Sequence, residues 1–425
     1  MCRIKQTAPR AVSIAVAVAL VQTLAICVAA EKSNRSPPEA GSQPAMPSAQ
    51  QCRAWALDFE KSIRRNDVAS VNRLIDWNAL IAKATAMPNP SPTVIRNREQ
   101  FIAGVKDTLQ SGQGAMGEVL KALHQGATYE FLRCREVAGS REVEFRFLLP
   151  KKGLNYHAFR LVMSDNGSVR ACDWYVFLMG QWQSETLRQT FLPLANTWAK
   201  GGAHLIAPAE REFVTHMNDV GAIVECYQKK EFRQALEIYR GLPESVKKNK
   251  VVFTIRFSAA QALGGDEQRR AIEEYRQFYP TDAAIDLILL DDLLAKKSFD
   301  KALAGVDRID KAVGGDPYLK VIRARILLKQ GQPEAARKMA ESAVAEAPTL
   351  KAAYYFLVDR SLKEKDFAKT AELLSALEAK CKVIFKDLAT VPAYKEFAKS
   401  PEYNTWLKSH RGPKEQPGIK EPRTQ

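Results

Sequence analysis

Histidine is scarce in this 425-residue chain: the five stand at positions 124, 157, 204, 216 and 410, with no two spaced as ligands on one helix face. Seven cysteines include no C-x-x-C pair, so neither a zinc knuckle nor a thioredoxin-type site is indicated. The H-E-x-x-H pair, the phosphate-cradling G-x-x-x-x-G-K-[ST] loop and the G-x-S-x-G nucleophile turn are absent as well. Motifs therefore point to no metal, no cofactor and no catalytic set. Nucleic acid is not expected as a partner either. Lys plus Arg outnumber Asp plus Glu by 63 to 48, a formal charge of +15, but 26% charged residues of both signs make an ordinary solvated surface. The basic pairs Lys151-Lys152, Lys247-Lys248 and Lys296-Lys297 are dispersed among turns and helix ends, not interleaved with aromatics on one face.

Long apolar runs are missing, with one exception. Residues 11–30 are apolar apart from Ser13, Gln22 and Thr23, follow the basic Arg3, Lys5 and Arg10, and close on Val28-Ala29-Ala30. Those features predict a signal peptide over 1–30, cleaved near Ala30, and hence a periplasmic or secreted protein. An uncleaved N-terminal membrane anchor is the alternative, since about twenty helical residues just cross a bilayer core of roughly 30 Å. A lipid attached at Cys27 would require a small residue where Ile26 stands. Residues 31–50, rich in Pro and Ser with no aromatic, read as a disordered linker. After cleavage Cys52, Cys134, Cys172, Cys226 and Cys381 remain, an odd number. In an oxidising compartment Cys134 and Cys172, both in predicted strands, are the first pair to test for a disulfide, although a simple meander would separate them. Otherwise they are small buried hydrophobes.

From Cys52 a helical period places Cys52, Trp55, Ala56, Phe59 and Ile63 on one face. A second helix starts at Val68 with Val71, Leu74 and Ile75, and residues 94–124 continue as helix broken around Gly112, Gly114 and Gly117. The period then changes to two. Strands are predicted over 127–137, 141–149, 154–164 and 168–179, with a tight hairpin at Asn166-Gly167. In the second strand Val143, Phe145, Phe147 and Leu149 face one way and Glu142, Glu144 and Arg146 the other. Helices followed by a four-stranded antiparallel sheet make residues 51–200 an α+β domain, and this element order resembles the NTF2-like or cystatin-like cone. That resemblance implies a pocket over the concave sheet face, with His157, Asp173 and Tyr175 as candidates to line it; Asp173 and Tyr175 share a strand face.

The second half repeats. In Pro317–Thr349, Ala324, Gly331, Ala336, Ala343 and Pro348 stand where a tetratricopeptide repeat has its small residues, turn glycine and closing proline. Phe232, Phe299 and Phe367, each following a similar polar turn, recur at twice that family's period of about 34 residues. The chain resembles the tetratricopeptide family over about 205–384, an all-α solenoid following the α+β domain; residues 385–409 read as a cap and 410–425 as a disordered tail. The resemblance implies a groove lined by Tyr227, Arg256, Asp291, Tyr318, Arg325, Tyr355 and Asp359, an aromatic and mixed-charge set suited to a protein or peptide partner. The function expected is an exported, non-catalytic interaction scaffold, meeting a membrane only through its N-terminal segment. A small-ligand or enzymatic cone carried on that scaffold is the alternative, and a purely structural spacer stands beside both.

Overall fold

The computed structural model describes residues 46–112, 114–149, 153–199 and 208–410. The signal segment, most of the linker, His204 and the C-terminal tail lie outside them. The chain forms two compact units, one ending at Ile288 and the other beginning at Leu289.

Among the described residues the first unit opens with five helices: α1 (Ala49–Arg64), α2 (Val68–Leu74), α3 (Trp77–Ala84), α4 (Pro92–Gln110) and α5 (Gly114–His124). Helix α1 starts just inside the segment expected to be linker. Ser48 and Gln51 form a reciprocal capping box that satisfies the free N–H groups there. Its buried face is Cys52, Trp55, Ala56, Phe59 and Ile63, as the period requires. Helix α3 escaped the sequence reading because Ile75-Asp76 interrupts the period; Asp76 caps it by accepting from Ala79 N.

The sheet is a meander of five strands, not four: β1 (Thr128–Val137), β2 (Ser140–Leu148), β3 (Leu154–Met163), β4 (Val169–Val176) and the short β5 (Gln181–Trp182). Every neighbouring pair is antiparallel. Helix α1 lies against one face and supplies Trp55 and Phe59, whose rings stack at 4.8 Å. Phe59 also meets Phe145 and Phe159 at 5.5 and 4.8 Å, and Phe159 stacks on Trp174 at 5.8 Å. This aromatic layer fills the face on which a ligand pocket was expected. Opposite it, Glu142, Glu144 and Arg146 are also buried, enclosed in a ladder in which Arg135 meets Glu144 at 2.6 Å and Arg160 meets Glu142 at 3.0 Å.

Two bulges set which side chains face which way. Phe131 pairs with Phe145 but Arg133 with Glu144, so Leu132 has no partner and the alternation of β1 inverts there. Cys134 consequently turns to the core while Arg133 and Arg135 join the ladder. On β4, Arg160 pairs with Asp173 and Leu161 with Ala171, which leaves Cys172 unpaired.

The rest of the first unit is helical: α6 (Gln183–Trp198), α7 (Pro208–Thr215), α8 (Met217–Gln228), α9 (Phe232–Gly241), the single turn α10 (Glu244–Lys247), α11 (Lys250–Leu263), α12 (Gly265–Phe278) and the start of α13 (Ala284–Ala295). The second unit holds the end of α13, then α14 (Phe299–Ala312), α15 (Pro317–Lys329), α16 (Pro333–Glu346), α17 (Lys351–Glu364), α18 (Phe367–Cys381) and α19 (Pro401–His410). Between α18 and α19 lie three 3₁₀ turns, where Phe397 packs on Phe367 and Tyr403 at 5.8 and 5.3 Å.

Phe232, Phe299 and Phe367 each open a helix. Ahead of these helices the backbone shows a finer periodicity. Lys230, Gly264, Lys297, Gly331 and Lys365 all have positive φ, and they recur about every 34 residues, the length of one tetratricopeptide unit. In four of the five turns the residue after the left-handed one closes a Schellman-type bond: Glu231 N to Cys226 O, Ser298 N to Leu293 O, Gln332 N to Leu327 O and Asp366 N to Ser361 O, at 2.8 to 2.9 Å. Lysine at such a site carries the steric cost of a Cβ that glycine lacks, about 1 kcal/mol. Lys365→Gly is therefore expected to leave stability unchanged or raise it by up to about 0.5 kcal/mol, once the greater freedom of the unfolded glycine is subtracted. Gly331→Ala, where the added Cβ meets no neighbour but φ is +82°, should lower it by about 1 kcal/mol. Urea midpoints at constant m separate the two signs.

Candidate functional site

The three residues expected to line one pocket are divided between the two faces of the sheet. His157, on β3, points into the core. Its Nδ1 lies 2.9 Å from the Tyr129 hydroxyl and its Nε2 3.3 Å from Asn155 Nδ2. The Asn155 orientation is fixed, because its Oδ1 accepts from Tyr156 N and Leu178 N at 2.9 and 3.0 Å. Nδ2 must then donate, so Nε2 accepts and Nδ1 carries the proton. Burial pushes the His157 pKa down to about 3. A second proton would also set an N–H of the ring against an N–H of Asn155.

Asp173 is on the other face of β4 and only 1% exposed. It accepts from Ser184 Oγ at 2.6 Å, Ser184 N at 3.1 Å and Trp174 N at 3.0 Å, and pairs with Lys83 at 2.7 Å. Both its oxygens are occupied in joining β4 to the start of α6 and to α3. Tyr175 does share that face, packing edge-on to Trp182 at 5.7 Å; burial, Asp282 and Glu185 raise its pKa.

Near Tyr175 the helical part of the first unit closes onto the sheet. Lys250 of α11 pairs with Asp282, donates to Tyr275 Oη at 3.1 Å and stands 3.5 Å from the Tyr279 ring centre. Tyr275 donates to the same Asp282 oxygen at 2.8 Å. Gly180, at φ +62°, fits against this pair because a Cβ there would meet both Asp282 Oδ2 and, at 2.8 Å, Lys250 Nζ. The adjoining cavity, bordered by Phe147, Asn155, Met179, Lys250 and Phe253, measures about 40 Å³. That is room for about three waters, far below a substrate pocket.

A larger opening lies on the first helix pairs. A cleft of about 410 Å³ is bordered by Tyr239 and Arg240 of α9, Arg256 of α11, and Glu267, Arg270 and Glu274 of α12. Arg256 sits buried at its base, donating to Glu274 at 2.9 Å, with Tyr239 donating to the same carboxylate at 3.0 Å. At the mouth, Arg240 and Arg270 share one carboxylate, Glu267, at 2.7 and 3.4 Å. These two arginines are 52% and 62% exposed.

The expected groove positions fare unevenly. Tyr227, Arg256 and Tyr318 are buried, Tyr227 against Phe232 at 5.6 Å. Of these three, Arg256 borders the cleft, at its base. Arg325 is half-buried, whereas Tyr355, 43% exposed, and Asp359 stand one turn apart on α17. The Asp291 side chain lies outside the described residues. Cleft residues such as Arg240 and Arg270 were missed because they belong to second helices of successive pairs, far apart in sequence.

The Cys134–Cys172 disulfide is not formed; both thiols are free. Strands β2 and β3 intervene, which puts about 14 Å between the two strands, twice what a disulfide spans. No described helix is long and apolar enough to cross a membrane.

No protein-family profile matches the chain, and no curated protein matches it. Among solved structures, a crystal structure of PilW, described as a widely conserved type IV pilus biogenesis factor, is similar over 45% of this chain and 98% of that one, at 17% identity and a TM-score of 0.30. An overlay that loose carries no fold or function across.

Proposed function

We propose that this protein is an exported, non-catalytic interaction scaffold whose tetratricopeptide-type helix pairs receive a protein or peptide partner. The observation that carries the reading is the open cleft between α9 and α12. Two exposed guanidiniums, ten N–H donors between them, share a single carboxylate there, leaving donors free for an acidic side chain of a partner. The recurrence of one hydrogen-bonded turn at Lys230, Lys297, Gly331 and Lys365, one or two repeat lengths apart, supports the repeat class. The filled aromatic face of the sheet favours a supporting role for the α+β part. Export rests on the signal-like residues 1–30.

The test is affinity capture from an envelope extract with the whole chain after residue 30 as bait, compared with its Arg240→Glu/Arg270→Glu variant. Both side chains are largely in solvent, so the variant should fold with an unchanged circular dichroism spectrum and melt. Its specific partners are expected to be lost, and wild-type capture should weaken between about 50 and about 500 mM salt. Identical partners on both baits would overturn the cleft assignment.

A further inference from the structure

We propose that Cys52 and Cys134 form a disulfide that ties α1 to β1 when the chain folds in an oxidising environment. The Cys134 thiol is a close enough neighbour of Cys52 to act on its ionisation, and both thiols are free in this structure. Cys52 is fully buried on the core face of α1, and Cys134 packs against the same core from β1. Neighbouring contacts place the two elements side by side: Phe59 meets Tyr129 at 6.3 Å between ring centres, and Arg53 stands 5.9 Å from the Phe131 ring. Along α1 toward its N-terminus the partners advance along β1, in the direction of Cys52 and Cys134. The bulge at Leu132 makes this possible, since without it Cys134 would face the charged ladder. Cys172 is engaged elsewhere: its Sγ donates to the Arg160 carbonyl at 3.5 Å.

The oxidant is a disulfide compound, either a dithiol oxidase of the compartment or oxidised glutathione. The Cys134 thiolate, the more accessible, attacks one oxidant sulfur and expels the other as a thiolate. The Cys52 thiolate then attacks the Cys134 sulfur and expels the second. Two thiol protons and two electrons pass to the oxidant, which leaves as two thiols. Timing follows from burial: in the folded chain the Cys52 thiol is pushed up to about 12, chiefly by desolvation and then by Cys134. Bridging should therefore be faster during folding than after it.

The test is to refold the full chain from urea in a glutathione redox buffer and map it by mass spectrometry without reduction. The expected product links the Cys52 and Cys134 peptides, and its melting temperature falls by on the order of 10 °C when the bridge is reduced. Cys134→Ser should refold without the link and without that difference. Free alkylation of both cysteines after oxidative refolding, or a link from Cys134 to Cys172, would overturn the proposal. Neither result depends on the cleft or its partner.

Discussion

Acidification is expected to destabilise the first unit through His157. The unfolded imidazole takes up a proton near pH 6.5, whereas the folded one, sealed between Tyr129 and Asn155, does so only near pH 3. Between these values the unfolded state binds more protons, so the contribution is fully present above pH 6.5 and is lost as pH falls. It amounts to about 2 kcal/mol by pH 5 and approaches about 5 kcal/mol near pH 3. Carboxylates titrate over part of this range, so the measurement is a difference. His157→Gln should be less stable than wild type at pH 7, yet its stability should fall less steeply between pH 6.5 and 5. Parallel pH profiles for the two proteins, or an imidazole NMR resonance that titrates near 6.5 in the folded state, would show that the ring is not held neutral.

Asp173→Ala should be comparably severe at neutral pH, costing about 3–5 kcal/mol. The change leaves three donors, Ser184 Oγ, Ser184 N and Trp174 N, without their acceptor in a site closed to water. Lys83 is half in solvent and can rehydrate, so Lys83→Ala should cost no more than about 1 kcal/mol. Asp173→Asn keeps one acceptor oxygen and should fall between them. Chemical denaturation of the three variants decides the matter. A loss under about 1 kcal/mol in Asp173→Ala would mean that the carboxylate is dispensable to the fold and would reopen it as a functional group.

Much of the fold was legible because it rests on local rules. The alternation of Val143, Phe145 and Phe147 against Glu142, Glu144 and Arg146 gave β2 both its strand and its faces. Phe232, Phe299 and Phe367, legible as a recurrence at twice the repeat length, each open a helix. What stayed hidden was non-local. The bulges at Leu132 and Cys172 leave no pattern in composition, yet they decide that Cys134 faces inward and that Asp173 and His157 occupy opposite faces. A strand as short as Gln181–Trp182 cannot show a period. The cleft was legible only in part: Arg256 was among the residues read from the sequence, while Arg240 and Arg270 stand on other helices whose meeting depends on how pairs stack.

The recurring left-handed residues have a consequence for how this half of the chain tolerates change in length. A cut at Gly331 rejoined at Lys365 regenerates the same backbone sign and the same six-to-one hydrogen bond on the incoming helix. Whole blocks of one repeat length are thus interchangeable at the level of the turn, while loss of a single residue puts a left-handed conformation on a neighbour with the wrong helix behind it. Between Gly331 and Lys365 a change of length that preserves the turn comes as a block of one helix pair.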